Sequence, residues 1–367
     1  MVRARMVKTL RPVGSLVFAL MACAPPPLVD QDVSFLVPLS HARLFLPAAG
    51  MAGDGDALVS RALFDRLPAL TVTDEPDALY AALSTVGVRL DPCFSEGAGP
   101  PACQPQVRLV LQPIFDSGDG PTTRDAALHV FFSVTRAELE RLVGELSLLR
   151  EKSGVALPGG LTGAHPGFDN PAWVARARTL LRPLLREDRV VRATAMSLHA
   201  SNEAWVFSGV AVSAGTFTDL AVPTLAPAVK GHVTSTGARE ALTITLDPPS
   251  SAEPTLPTVL QSSSRRQASD LQLAAAVEAV LRLENPEVHN PGTVDCASCH
   301  VAATVKWFLV NQSPAAVIDS PVPSSDVYAD SRALRAFGYF FQAPAISPRV
   351  QRETAAVRSH FVHRLEP

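Results

Sequence analysis

Apolar and polar residues alternate along two segments in the first half of the chain, and this pattern predicts β-strands. Positions 107, 109 and 111 are apolar, Arg108 and Gln112 are polar, and residues 128–134 repeat the same period of two. That period is typical of a strand with one buried face, so both segments are predicted to be half-buried strands. Segments 189–199 and 203–212 are predicted to pair as a hairpin around Ser201 and Asn202.

Apolar residues at every third or fourth position predict helices between these strands. Thr135 and Glu138 have the spacing of a capping box, which opens a helix. Its apolar face would be Leu139, Leu142, Val143, Leu146 and Leu149, with Gly154 ending it. Further helices are predicted at 58–67, 78–83 and 173–185. Residues 32–250 are therefore predicted to form an α+β domain.

A segment rich in proline and serine, residues 251–269, predicts a linker between two domains. Asp270 can cap the helix that follows, which Asn285 and Pro286 would end. Another helix is predicted after His300, and a last one over 349–363, so residues 270–367 are predicted to form a small, mainly α-helical C-terminal module.

Composition limits the class of protein. The chain has 367 residues, of which 47% are hydrophobic and 18% charged, so it is long enough and apolar enough for two globular domains. A net charge of −3 argues against a nucleic-acid partner. No phosphate-binding glycine loop or nucleophile elbow occurs in residues 32–250, and their role is not assigned from the sequence.

The N-terminus has the features of an export signal. Arg3, Arg5 and Lys8 precede a short apolar run at 13–22, which is too short to span a bilayer. The run ends at Cys23 and resembles the lipobox of bacterial lipoproteins. The resemblance implies a signal peptide over 1–22, a lipid on Cys23 that anchors the chain to a membrane, and a proline-rich tether over 23–31. The alternatives are an ordinary signal peptide and an uncleaved anchor.

The second candidate for chemistry is the pentapeptide Cys296-Ala-Ser-Cys299-His300, which is the attachment signature of c-type haem. Two thiols one short turn apart can add to the two vinyl groups of one porphyrin, and the adjoining imidazole can then coordinate its iron. The segment resembles the haem motif of bacterial c-type cytochromes. The resemblance implies one covalently attached haem c, with Cys296 and Cys299 as thioether anchors and His300 as an iron ligand.

Two other interpretations of the pentapeptide stay open. Cys296 and Cys299 can form a tight disulfide, with His300 as an ordinary polar neighbour. A zinc site needs four ligands, and the sequence has no second cysteine pair at this spacing.

The opposite iron ligand is not a methionine downstream of the motif, because the five methionines are at positions 1, 6, 21, 51 and 196. His289, seven residues before Cys296, is the favoured candidate, and His360 and His363 are the others. Upstream histidines near such motifs are familiar in multihaem cytochromes whose iron has two histidine ligands. The alternatives are an open sixth position and a solvent-facing His289.

Cys93 and Cys103 remain after these assignments, and they flank a loop rich in glycine and proline. A disulfide between them is predicted, since an exported chain meets oxidising conditions. Two buried thiols are the alternative.

Together these features predict a lipid-anchored protein of the bacterial cell envelope that faces the periplasm and carries one haem. It is expected to be an electron carrier rather than a catalyst, with a redox partner in the envelope. One alternative is a non-enzymatic binding lipoprotein whose Cys296 and Cys299 form a disulfide. The other is a haem enzyme or gas sensor with an open sixth position.

Overall fold

A ten-stranded antiparallel sheet organises the computed structural model of this chain. The structure describes residues 26–50, 57–71, 75–93, 104–199, 204–222, 224–225, 246–247, 253, 255–256, 259, 262–289, 296–312 and 336–365. Helices pack on both faces of the sheet, and a separate two-stranded hairpin lies near the C-terminus. The predicted mixture of helix and sheet is confirmed.

The strands follow one another mostly as antiparallel neighbours. They are β1 (Ser34–Leu36), β2 (Leu83–Asp91), β3 (Gln106–Ser117), β4 (Gly120–Thr123), β5 (Ala126–Ser133), β6 (Val190–His199), β7 (Ala204–Ser213), β8 (Thr216–Leu220), β9 (Thr224–Leu225), β10 (Leu246–Asp247), β11 (Phe337–Phe340) and β12 (Ala343–Ile346). The order across the large sheet is β1-β2-β3-β5-β6-β7-β9-β10, with β4 paired to β3 and β8 to β7. Strands β11 and β12 form the separate hairpin.

Eleven α-helices are found in the described residues. They are α1 (Asp30–Val33), α2 (Leu39–Phe45), α3 (Arg61–Asp65), α4 (Pro68–Thr71), α5 (Pro76–Ala82), α6 (Arg136–Lys152), α7 (Pro171–Leu181), α8 (Ser262–Gln267), α9 (Asp270–Glu284), α10 (Cys296–Gln312) and α11 (Pro348–Leu365). Three short 3-10 segments, Pro166–Asp169, Arg182–Leu184 and Glu187–Arg189, flank or follow α7.

One face of the sheet is apolar across its central strands. Val88, Leu109, Val130 and Ala193 lie directly opposite one another on β2, β3, β5 and β6. All four are buried in a hydrophobic core that also contains the inner faces of α2, α6 and α7. Residues one position away must point to the other side of the sheet, because successive side chains of a strand alternate.

The other face carries charged side chains on three of these four strands, one position away from the apolar row. Arg89, Arg108, Phe131 and Arg192 lie opposite one another on the same four strands. Helices α9 and α10 cover this face through a second apolar cluster, which includes residues of β5, β6 and β7. Hairpin β11–β12 and α11 cover it too, since Arg108 bonds the carboxylate of Glu353 in α11.

The prediction that the strand around Arg108 is half-buried was therefore wrong. Arg108 and Gln112 are both buried, and Gln112 exchanges hydrogen bonds with the backbone of Tyr339 at 2.7 and 3.0 Å. The alternation predicted the strand correctly. It could not predict that residues more than 200 positions later in the chain cover the polar side of that strand.

Several local predictions are confirmed. The capping box forms, with the Thr135 hydroxyl accepting from the Glu138 N–H at 3.2 Å and a Glu138 carboxylate oxygen accepting from the Thr135 N–H at 2.8 Å. Gly154, just past the end of α6, has a φ of +63° that suits glycine. The hairpin of β6 and β7 also forms, and its predicted turn residues lie outside the described part of the chain.

One predicted cap needs correction. Helix α9 does begin at Asp270, but its N-cap is Ser269, whose hydroxyl accepts from the Gln272 N–H at 3.4 Å. Ser269 and Gln272 have the capping-box spacing, which Asp270 lacks.

The structure describes only part of the predicted division into signal peptide, tether, N-terminal domain, linker and C-terminal module. The signal peptide over 1–22 and the lipid site Cys23 lie outside the described residues. Residues 26–31 of the predicted tether lie near α6, where Arg150 donates to the Pro27 carbonyl at 2.8 Å. The linker prediction over 251–269 includes the short helix α8, and helices α9, α10 and α11 pack on the same sheet as the N-terminal region.

Candidate functional site

The pentapeptide motif forms the first turn of α10. Cys296, Cys299 and His300 therefore occupy one end of a single helix, at the i, i+3 and i+4 positions that share a face. Both cysteines are thiols in the structure and are partly buried, and His300 is 7% exposed. The residues between the cysteines, Ala297 and Ser298, are completely buried. The two sulfur atoms and the imidazole are thus kept close together by helix geometry alone.

Helix α10 is fixed to its neighbours by apolar contacts and a buried ion pair. Its residues Val301 and Val305 pack in a cluster with the inner face of α9. Lys306 of α10 lies 2.9 Å from the carboxylate of Glu284 in α9, with both side chains buried, and Arg352 of α11 lies 3.0 Å from the same carboxylate. These contacts hold α10, and with it the motif, in place against α9 and α11.

The imidazole of His300 lies at a small cavity between α10 and the sheet. It packs edge-on against Phe207, with 5.4 Å between ring centroids. The cavity is bordered by Ala127, His129, Thr194, Ala195, Met196, Phe207, Cys296 and His300. Its volume of about 10 Å³ is close to the space that a single water molecule needs.

His129, in the middle of β5, shares this cavity with His300. Burial, followed by the nearby charges of His300 and Arg108, lowers its pKa to about 3. The ring is therefore a neutral imidazole near pH 7 and keeps one nitrogen lone pair.

A group of buried ionic side chains lies beside the motif. Glu353 of α11 is 3.1 Å from Arg89 and bonds Arg108, which is also 3.3 Å from Asp91. Arg349 lies 3.8 Å from Glu353, so three guanidinium groups share two carboxylates. Burial raises the pKa of Glu353, but the three arginines outweigh burial and hold it well below its ordinary range.

Burial disfavours the charged form of these arginines, and their charges interact with the cysteines of the motif. Burial and the nearby positive charge of Arg108 lower the pKa of Arg89 to about 10, although Glu353 opposes the shift. The Nε atoms of Arg89 and Arg108 are buried without a hydrogen-bond acceptor in the described residues. Charge interactions also connect Arg108 with Cys299 and Arg192 with Cys296. The motif therefore lies in a positively charged environment.

The favoured sixth ligand, His289, lies in different surroundings. Its Nε2 atom is 3.0 Å from a carboxylate oxygen of Glu253, which also binds Arg282 at 2.7 Å. Arg349 bonds the backbone carbonyl of His289. His289 does not border the cavity beside His300, and neither do His360 and His363 of α11. The structure does not bring the three histidines named from the sequence to the space where His300 points.

The other predicted cysteine site is described in part. Cys93 is disulfide-bonded in the structure. Its expected partner, Cys103, lies outside the described residues, so that pairing stays a prediction.

The donor set suits haem c, whereas the space beside it does not hold a porphyrin. Two thiols three residues apart and an adjoining imidazole are the groups that the covalent cofactor requires. A cavity with room for about one water is far smaller than the macrocycle. Attachment therefore requires the first turn of α10 to stand farther from the sheet than it does here.

Sequence reasoning missed two residues at this cavity. Met196 was set aside because it precedes the motif in the chain, and His129 was not considered. The alternation that places Leu128 and Val130 on the apolar face does place His129 on the opposite face. That signal locates the side chain but does not reveal that α10 covers it.

No protein-family model matches this sequence, no curated protein is detectably similar to it, and no solved structure matches it. Within the described residues, none of the helices combines the length and the apolar character that crossing a membrane requires. In the same residues, no three His, Cys, Asp or Glu side chains are grouped to hold a bare metal ion. Haem iron takes four ligands from its porphyrin, so the last result does not bear on haem.

Proposed function

We propose that this chain is a lipid-anchored, extracytoplasmic protein similar to c-type cytochromes, which binds one covalent haem and transfers single electrons to a partner in the bacterial envelope. The carrying observation is that Cys296, Cys299 and His300 share one helix end with both cysteines present as thiols. A disulfide or an irregular backbone at these positions would offer no such donor set.

Each part of the site has a defined role in this proposal. The haem supplies one-electron redox chemistry when it is bound. Cys296 and Cys299 would hold it through thioether bonds, and His300 would donate its imidazole to the iron. Phe207 and Met196 border the space beside His300 and would help to keep water away from the motif. The nearby arginine group would favour the reduced form, because positive charge stabilises the state that has gained an electron.

The location rests on independent observations. The N-terminal basic and apolar segments and Cys23 support export and lipid attachment. The disulfide at Cys93 supports an oxidising compartment outside the cytosol. Haem attachment by thioether bonds is compatible with that compartment.

The decisive experiment is a mass measurement on the full chain produced in a bacterium that can attach haem. The denatured protein is expected to retain the mass of one haem and a haem absorption spectrum. Cys296→Ser and Cys299→Ser should lose covalent haem, whereas Cys93→Ser, the matched cysteine control, should keep it. Cys23→Ser should release haem-bearing protein from the membrane fraction. A colourless wild-type chain contradicts the proposal.

One observation favours a second candidate, a haem-free binding lipoprotein of the envelope. Helix α10 packs on the sheet with space for about one water, which suits a chain that never accommodates a porphyrin. In this candidate, oxidation of the two thiols forms a Cys296–Cys299 disulfide, with the two electrons passing to the envelope's thiol-oxidising machinery. The same mass measurement distinguishes the candidates, since disulfide formation removes two hydrogens and haem attachment adds a cofactor.

A further inference from the structure

A cavity of about 520 Å³ shares no lining residue with the small space beside His300. It lies where residues 58–63 meet the start of β6 and the hairpin of β7 and β8. Its apolar wall consists of side chains that belong to the main core or pack against it: Leu58, Leu63, Val190, Val212 and Phe217. Cavities of this size, with largely apolar walls and a few polar groups, are the usual binding places of small organic molecules.

The polar side of this cavity carries more negative than positive charge. Its charged lining residues are one arginine, Arg186, and two carboxylates, Glu187 and Asp188. Arg186 donates to both carboxylate oxygens of Asp188 at 3.0 Å, so the charge of Glu187 is in excess. The arginine that opens α3 is also shared by two carboxylates, since Arg61 lies 2.7 Å from Asp65 and 2.5 Å from Asp77. The cavity therefore favours a cation over an anion.

The turn between β7 and β8 lines the same cavity and has an unfavourable conformation. Ser213 pairs with Thr216, so Ala214 and Gly215 form a two-residue loop, and their φ angles are +47° and +76°. Such a loop favours asparagine or aspartate before the glycine, whereas alanine is strained at that position. Because Ala214 lines the cavity, an asparagine there would place a polar side chain in the wall. The strained alanine keeps the wall small and apolar, as a binding site requires.

We infer that this cavity binds a small organic amine in its cationic form. The ammonium group would pair with the carboxylate of Glu187, and the apolar body would pack on Leu58, Leu63 and Val212. Phe217 adds an aromatic ring, whose face attracts cations as well as apolar groups. This inference goes beyond the proposed function and does not depend on haem.

The test uses three probes with one apolar body, phenylbutylamine, phenylbutanol and phenylbutyrate, in calorimetric titrations of the full-length protein. The amine is expected to bind saturably. The alcohol should bind about two- to fivefold more weakly, which is the contribution of an exposed ion pair, and the carboxylate more weakly still. Added salt should reduce the difference between amine and alcohol, because it screens the pairing with Glu187.

Two variants locate the site. Glu187→Gln should weaken the amine about two- to fivefold and leave the alcohol unchanged. Glu151→Gln, which removes an exposed carboxylate at the end of α6, is the matched control for net charge and should change neither. Ala214→Asn should raise the Tm by relieving the turn, yet weaken binding of the amine and the alcohol by narrowing the cavity. The raised Tm shows that the variant is folded.

Three results would overturn the inference: no saturable binding of phenylbutylamine, equal binding of phenylbutyrate, or full affinity for the amine in Glu187→Gln. None of them bears on the haem, whose presence the mass measurement tests separately. A chain without haem that binds the amine would overturn the proposed function and leave this inference standing.

Discussion

The two faces of the central sheet differ more than any other two regions of this protein. Along one row, Val88, Leu109, Val130 and Ala193 are fully buried in an apolar core. One residue away on each strand, the other face presents arginines and Phe131, covered by the C-terminal helices. Arg89, Arg108 and Phe131 are buried too, so exposure to water does not explain the contrast.

The two faces also differ in how their burial contributes to stability. The apolar face needs no explanation beyond burial of hydrophobic side chains. On the other face, burying charges costs free energy that their mutual attraction often fails to recover, and apolar replacements would frequently be as stable. Residues that break the usual rules of a core are expected at functional sites. The charged face is also the face to which the motif and His129 belong.

The largest expected effect comes from breaking the charged face at Glu353. Glu353→Gln leaves Arg89 and Arg108 without their shared carboxylate charge, and we expect a loss of about 3–5 kcal/mol in the free energy of unfolding. The triple variant Arg89→Met, Arg108→Met, Glu353→Leu should recover much of that loss, because it removes the carboxylate together with both arginines that it pairs. Urea denaturation measures both effects.

Leu109→Ala is the control on the apolar face. It should cost about 2–5 kcal/mol by creating a cavity, and no second substitution at Arg108 should rescue it. If the variant that also replaces both arginines is as unstable as Glu353→Gln alone, the ion pairs of the charged face are themselves a net source of stability.

A smaller effect concerns His165, a buried histidine on the apolar side. It stacks on Trp173 with 4.2 Å between ring centroids, and burial, then Arg150, lowers its pKa to about 3. Between pH 6.5 and 3 the unfolded chain binds a proton there that the folded chain does not. Stability should therefore fall as pH falls through this window, by about 1.4 kcal/mol per pH unit from this group.

His165→Gln should remove that share of the pH dependence. Urea midpoints at pH 7, 6 and 5 measure the slope above the range where carboxylates titrate. An unchanged slope would mean that His165 is protonated in the folded protein or that another group carries the effect.

The smallest effects come from the N-caps of two helices, α6 on one face of the sheet and α9 on the other. Thr135→Ala on α6 and Ser269→Ala on α9 should each cost about 1 kcal/mol. Thr135 should cost more, because its partner Glu138 also binds Arg189 at 2.9 Å. Both variants are expected to shift one common unfolding transition, since α9, α10 and α11 pack on the same sheet as the N-terminal region. Two separate transitions, with Ser269→Ala moving only one, would instead favour two independent domains.

Much of the local structure could be predicted because it depends on neighbours in the sequence. The capping box at Thr135, the alternation around Leu109 and the helix that follows His300 are all encoded within a few residues. The pentapeptide itself is local, so its cysteines and histidine were identified without a fold.

The surroundings of the site could not be predicted in the same way. His289 was favoured for its closeness in sequence, yet a carboxylate 36 positions earlier holds its ring. Arg108 was expected on a half-buried strand, yet Glu353 binds it from 245 positions away.

By itself, the sequence determined the strands, the caps and the thiol–thiol–imidazole spacing, since each follows from backbone geometry over one or two turns. Only the tertiary structure decided which side chains meet His300. Periodicity specifies the face on which a residue lies, but the contacts of that face depend on which distant segment packs against it.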